Sequence, residues 1–168
     1  MRRELDFYPT PLSIVEEIAR RWVSPDMVVW EPCTGDGRMS RVLEDKGCSV
    51  VSSDIASGED FYDYTEALAP VIVTNPPFGS IRRFIDHAFE IGAERMALVC
   101  PERLWACAKG RQQFERHRPA RWANMDWRED YLQKGGAPDR ALAVAMWDVP
   151  HSPDCRYEIW SRSSWSVS

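Results

Sequence analysis

The sequence has no CxxC pair and no HExxH or HxxxH pattern. Its five cysteines (33, 48, 100, 107, 155) and three histidines (87, 117, 151) lack zinc-ligand spacing, and the odd cysteine count argues against a disulfide framework. No resident metal is expected. No apolar run approaches the ~18 residues of a membrane span. Residues 1–6 lack the apolar stretch of a secretory signal. The expectation is a cytoplasmic protein with no membrane partner. The GKS/T of a P-loop and the full GxGxxG fingerprint are missing as well. Positive charge is scarce: 21 Lys and Arg face 26 Asp and Glu.

What is present suffices for one core. A chain of 168 residues, 44% apolar and 28% charged, has ordinary globular composition. The charge is uneven. Residues 1–100 carry ten Lys and Arg against seventeen Asp and Glu, whereas residues 101–140 carry nine against six. A basic segment on an acidic body is compatible with a phosphate-contacting face, and equally with a solvated helix surface. Residues 1–160 read as one domain, with 161–168 a Ser-rich tail in which Trp165 could dock on the body.

Strand and helix patterns alternate. Thr10-Pro11 predicts an N-cap followed by proline at the first helical position, with Leu12, Val15, Ile18 and Trp22 at helical spacing. Met27–Trp30 reads as a buried strand and Ser49–Ser53 as a second strand, on either side of a helix from Arg38 to Lys46. Val71–Thr74 and Met96–Cys100 are further strands around a helix capped at Ser80. A helix from Leu104 to His117 follows, and Ala141–Trp147 is the last strong strand. Between Phe61 and Ala69, β-branched residues are few, so a strand there is short or absent. Such alternation implies a mostly parallel sheet covered by helices, an α/β architecture. Ligands in such sheets bind beyond the carboxyl ends of the strands. Glu31, Asp54 and Asn75 would meet at that rim.

Three groups there carry chemistry. Glu31-Pro32-Cys33-Thr34-Gly35-Asp36-Gly37 follows a strand. Its glycines let backbone approach a ligand, while Glu31 and Asp36 would repel pyrophosphate and suit an ammonium; a plain strand-to-helix turn is the alternative. Asp54 ends the next strand and could accept two ribose hydroxyls or cap a turn. Asp60-Phe61 offers an acceptor and an aromatic face to an adenine. Asn75-Pro76-Pro77-Phe78 is the most specific. Two prolines remove two donors and stiffen the turn. The exposed acceptors are then the Asn75 carbonyl and a proline carbonyl, beside an aromatic ring, a set that suits a planar conjugated amine.

Tyr8-Pro9-Thr10-Pro11, Glu31–Gly37, Asp54, Asp60-Phe61 and Asn75–Phe78 resemble, in order and spacing, the S-adenosylmethionine-dependent amino-methyltransferases. Small phage- and prophage-type adenine-N6 DNA methyltransferases are the nearest in pattern. The resemblance covers residues 6–148. It implies a Rossmann-like class I methyltransferase fold, with strand order 3-2-1-4-5-7-6 and one antiparallel strand. It implies S-adenosylmethionine as cofactor and DNA as partner. Tyr8 and Thr10 would contact the methionine part; Glu31, Thr34, Gly35 and Gly37 the amino-acid and sulfonium side; Asp54 the ribose; Asp60 and Phe61 the adenine. Asn75, Pro76, Pro77 and Phe78 would hold the target amine, reached by base flipping. Trp105, Trp122 and Trp127 are candidates for further base contacts.

The family usually carries a sizeable target-recognition region. Here only residues 101–140 are available for it, which leaves a dimer or partner open. The same tetrad serves enzymes acting on RNA adenine or guanine and on protein glutamine amides. A cofactor-binding scaffold is the non-enzymatic alternative. A dinucleotide oxidoreductase would explain Asp54 and leave the tetrad unexplained.

Overall fold

A computed structural model describes residues 9–128 and 141–162. Seven strands form one sheet: β1 (Val28–Glu31), β2 (Ser49–Ser52), β3 (Val71–Thr74), β4 (Arg95–Pro101), β5 (Arg121–Met125), β6 (Leu142–Asp148) and β7 (Arg156–Trp160). Their order is β2-β1-β3-β4-β6-β5-β7. β6 runs antiparallel to both its neighbours, and the other pairings are parallel. The helices are α1 (Leu12–Arg21), α2 (Arg38–Asp45), α3 (Ile81–Glu90) and α4 (Ala108–Arg116).

Strand alternation divides the core into two layers. Trp30, Ile72, Met96, Leu98, Ala145 and Trp147 pack with Phe84, Ile85 and Ala88 of α3. Their neighbours one residue along, Val29, Val71, Val73, Ala97, Val99 and Met146, pack with Ile14, Val15 and Ile18 of α1 and Met39 and Leu43 of α2. Strands apolar on both faces are what a sheet covered on both sides requires. α4 docks beside α3, where buried Gln113 donates to the Arg82 carbonyl (2.7 Å) and to Asp86 Oδ1 (2.9 Å).

Several sequence expectations change. Pro11, not Thr10, is the N-cap of α1, and no side chain caps it. The fourth helix begins at Ala108 rather than Leu104. Residues Leu104–Cys107 form a turn instead, and Gly110 packs closely against it: a Cβ there would stand 2.7 Å from the Leu104 carbonyl oxygen. The strand missing after Phe61 is replaced by short 3-10 turns at Ile55–Ser57 and Phe61–Asp63, so β2 is the sheet edge. Ala141–Trp147 is not the last strand. β7 follows it, parallel to β5, and supplies the other edge. The family order thus survives without its outermost strand, and with β7 added at the far side. Trp160 ends β7 fully buried. Trp165 and the Gly135–Pro138 run lie outside the described residues. No described helix is long and apolar enough to cross a membrane.

Candidate active site

Parallel strands bring their carboxyl ends to one rim, and a cleft of about 1100 Å³ opens there. That is the upper end of the roughly 300–1,000 Å³ typical of ligand pockets. Thr10, Glu31, Thr34, Gly35, Asp54, Asp60, Phe61 and the whole Asn75–Phe78 tetrad line it. Gly37 lies just outside the lining. Its φ of 76° begins α2 in a left-handed conformation that suits glycine. Tyr8 lies outside the described residues.

The loop after β1 is held by its own polar atoms. Thr34 Oγ1 donates to the carbonyls of Glu31 (3.0 Å) and Ser53 (2.9 Å). Asp54 accepts the Gly35 N–H at Oδ2 (3.0 Å) and the Ala56 N–H at Oδ1 (2.7 Å). The cap role and the ligand role are therefore compatible, since each carboxylate oxygen keeps a second lone pair. Asp60 likewise accepts the Tyr62 N–H at 3.0 Å through Oδ1.

Glu31 is only 2% exposed. Ser40 Oγ donates to its Oε2, and Ser40 and Ser52 hydroxyls lie 2.8 Å apart. Burial, which penalises the ionised form, pushes Glu31 up to about 7, opposed by the Ser40 hydrogen bond and helped by Asp36 and Asp54. Burial also pushes the neighbouring Cys33 thiol up to about 12, which leaves it protonated and unreactive at neutral pH.

Asp36 behaves differently from its sequence reading. It pairs with Arg38 at 2.5 Å, so its charge is already balanced and its carboxyl is held below the usual range, chiefly by hydrogen bonding from Arg38. Asp36 still lines the cleft, with Arg38 as its partner there. Arg38 also reaches the Thr10 carbonyl (3.4 Å).

Phe61 lines the cleft, but it is 4% exposed and its ring stacks on Phe84 at 4.0 Å, so most of its surface packs in the core. Ile55, which follows Asp54 and is 44% exposed, also lines the cleft. Sequence reading passed over it. An apolar residue directly after the strand-end carboxylate was the available signal.

The tetrad turns at the end of β3. Pro76 is buried, Asn75 and Phe78 are half-buried, and Pro77 is exposed. Phe78 packs on the α3-side core. Just beyond, Arg82 donates to the Leu104 carbonyl and lies 3.3 Å from Cys107 Sγ, while Arg83 covers the Tyr62 ring at 3.8 Å. Of the tryptophans singled out, Trp122 is buried and donates to Asn124 (2.7 Å). Trp105 packs against Phe114 and Trp122. Trp127 donates to Ser13 of α1 (3.1 Å).

The basic segment proves mixed. Arg121 is held by Glu158, Arg111 by Glu115 and Arg116 by Asp86, and Arg118 donates to the Pro153 carbonyl. Arg103, Lys109 and Arg128 are exposed and make no ion pair among the described residues. Lys134 and Arg140 lie outside those residues.

The strand order, the single antiparallel strand and the helix layers define the Rossmann-like fold of the class I methyltransferases. Solved structures with this arrangement include a candidate class I S-adenosylmethionine-dependent methyltransferase from Listeria monocytogenes (TM-score 0.63, 12% identity, 97% of this chain and 68% of that one). The modification subunit of a candidate type I restriction enzyme from Vibrio vulnificus superposes with TM-score 0.64 at 11% identity, over 94% of this chain and 47% of that one. The methyltransferase subunit of a type I restriction-modification system from Streptococcus thermophilus gives 0.58 at 12%, over 84% and 44%. At these identities the likeness is one of fold. The chain spans about two thirds of the first structure and under half of the other two. No protein-family model matches the sequence, and no curated protein matches it.

Proposed function

We propose that the chain is an S-adenosylmethionine-dependent methyltransferase acting on the exocyclic N6 of adenine in DNA. One observation carries this reading: the Asn75–Phe78 tetrad and the Glu31, Gly35 and Asp54 group line the same cleft. The donor set fits the cofactor. Among the described residues Arg38 is the one Lys or Arg lining the cleft, and Asp36 neutralises it. Such a cleft disfavours pyrophosphate and favours a cationic, phosphate-free nucleoside.

When bound, S-adenosylmethionine supplies a methyl group on a positively charged sulfur, already a strong electrophile. The chain then needs to align the amine rather than provide a strong base. The Asn75 side-chain carbonyl and a proline backbone carbonyl accept the two amine hydrogens. The nitrogen lone pair is thereby turned toward the methyl group, and Phe78 offers a stacking surface for the base. Asp54 orients the ribose. An adenine inside a duplex cannot enter, so it must be flipped out. Restriction-modification subunits among the similar structures are consistent with a DNA substrate.

The test is calorimetric titration with S-adenosylmethionine, then radiolabelled methyl transfer to DNA, RNA and protein. Label in adenine N6 of DNA is expected. Label in RNA or a glutamine amide alone would move the substrate, and binding without any transfer would leave a scaffold. Asp54→Ala should weaken cofactor binding, since it removes charge-assisted hydrogen bonds worth about 1.5–3 kcal/mol each. Unchanged affinity in that variant would reject the ribose assignment.

DNA affinity should fall with salt at a log–log slope near −0.9 per phosphate contact. Neutralising Arg103 and Lys109 together should flatten that slope by about 2 and leave cofactor affinity intact. An unaltered slope would return both to an ordinary solvated surface.

A further inference from the structure

Glu31 lies at the end of β1, the strand between β2 and β3. β2 leads to Asp54 and β3 to Asn75. If Asp54 takes the ribose and Asn75 the target amine, as proposed above, covalent connectivity fixes what lies between them. The sulfur is joined to the ribose carbon and must face the amine. Strands are spaced about 4.8 Å apart, so the sulfur stands over β1. The side chain waiting at that place is a carboxyl that is 2% exposed and has no cationic partner among the described residues.

The charged groups around it do not supply one. Asp36 and Asp54 add negative charge, and the Cys33 thiol is neutral. Arg38 is spent on Asp36, and Arg41 donates to the Asp36 carbonyl (2.8 Å). Ser40 gives a neutral hydrogen bond, itself backed by Ser52.

We propose that Glu31 is a specificity-determining residue that reads the charge on the sulfur: it ionises against the sulfonium of S-adenosylmethionine and keeps its unliganded protonation beside the neutral sulfur of S-adenosylhomocysteine. Donor binding at pH 7 then expels about half a proton per site, because the carboxyl is about half-protonated there before binding. Methyl transfer breaks the S–CH₃ bond, forms the N–CH₃ bond and sheds one proton from the amine. The sulfur becomes neutral, Glu31 is again a buried carboxyl without counter-charge, and it regains from water the roughly half proton per site that donor binding expelled at pH 7. Product is therefore held less tightly than donor, and the difference grows as pH rises through about 7.

The inference rests on the proposed cofactor, and the experiment separates the two. Each ligand is titrated into the full chain by calorimetry at pH 7 in phosphate and in Tris, whose ionisation enthalpies differ. S-adenosylmethionine should release about 0.5 proton per site and S-adenosylhomocysteine close to none. The affinity ratio of donor to product should rise about tenfold between pH 6 and pH 8. In Glu31→Gln, which keeps a hydrogen-bonding partner for Ser40, proton release should vanish and the ratio should become independent of pH. Equal release with both ligands would assign Glu31 to the ammonium group they share and overturn the proposal. Binding of both ligands without any release would overturn it too, while leaving the cofactor reading in place. Failure of either ligand to bind would remove that reading itself. The wild-type comparison stands even if the variant does not fold.

Discussion

Asn75→Ala is expected to fold, to bind cofactor as tightly as the wild type, and to lose roughly a hundred- to a thousandfold in single-turnover methyl transfer. Asn75 follows the last residue of β3, at the rim, and is half-buried there, so its truncation removes little core. Its proposed contact is with the amine hydrogens, whose acidity rises as the nitrogen bonds to carbon. The interaction is thus stronger in the transition state than in the ground state, and its loss falls on rate rather than affinity. Loss of one such preorganised contact costs about 2.7–4 kcal/mol. Asn75→Asp should be milder, because a carboxylate still accepts. Phe78→Ala should weaken base binding as well as rate, through about 1–3 kcal/mol of lost stacking. Single-turnover transfer to adenine-containing duplexes, read beside thermal stability, separates the three variants. Full activity in Asn75→Ala would reduce the proline turn to architecture.

The cleft was legible because its parts are local. A buried strand ending in a carboxylate or in Asn-Pro-Pro announces itself within a few residues, and β1, β3 and β4 are nearly continuous apolar runs. β5 and β7 carry no such mark. Arg121-Trp122-Ala123-Asn124 and Arg156-Tyr157-Glu158-Ile159 mix charge with apolar residues, as strands do near a sheet edge where one face stays wet. β5 pairs with β6 on one side and β7 on the other, while β7 pairs with β5 alone, across more than thirty residues.

Distance also hid what Phe61 packs on: it looks available when read beside Asp60, but the ring that stacks on it, Phe84, is supplied by α3. Asp36 is a different case, since its partner Arg38 is only two residues away and spacing alone does not show that the two side chains meet.

Arg121 illustrates the cost of counting charge without partners. Read as part of a basic segment, it invites a phosphate; in the fold it is a bidentate partner of Glu158 across the β5–β7 pair, with both contacts at 2.8 Å. Glu158 also accepts from Trp160 Nε1 (2.8 Å) and lies 3.3 Å from Arg156. Hydrogen bonding from Arg121 is the chief reason its carboxyl is held down at about 2. A carboxylate depressed in the folded state contributes stability that is complete above its unfolded value near 4.5 and is lost as pH falls toward 2. The contribution of all its partners together is on the order of 3 kcal/mol, with Arg121 the largest share and Trp160 and Arg156 the rest. Arg121→Ala should therefore cost about 1.5–3 kcal/mol in urea-induced unfolding at pH 7, the range for hydrogen bonds to a charged group. The acid-side decline in stability should shrink in that variant, because the folded and unfolded values draw together. Glu158→Gln should lose the same acid dependence. DNA affinity and its salt slope should not change in Arg121→Ala under conditions where the variant is folded. A variant that keeps its stability but flattens the salt slope would put Arg121 back on the phosphate face and leave β7 held by its backbone pairing and Trp160 alone.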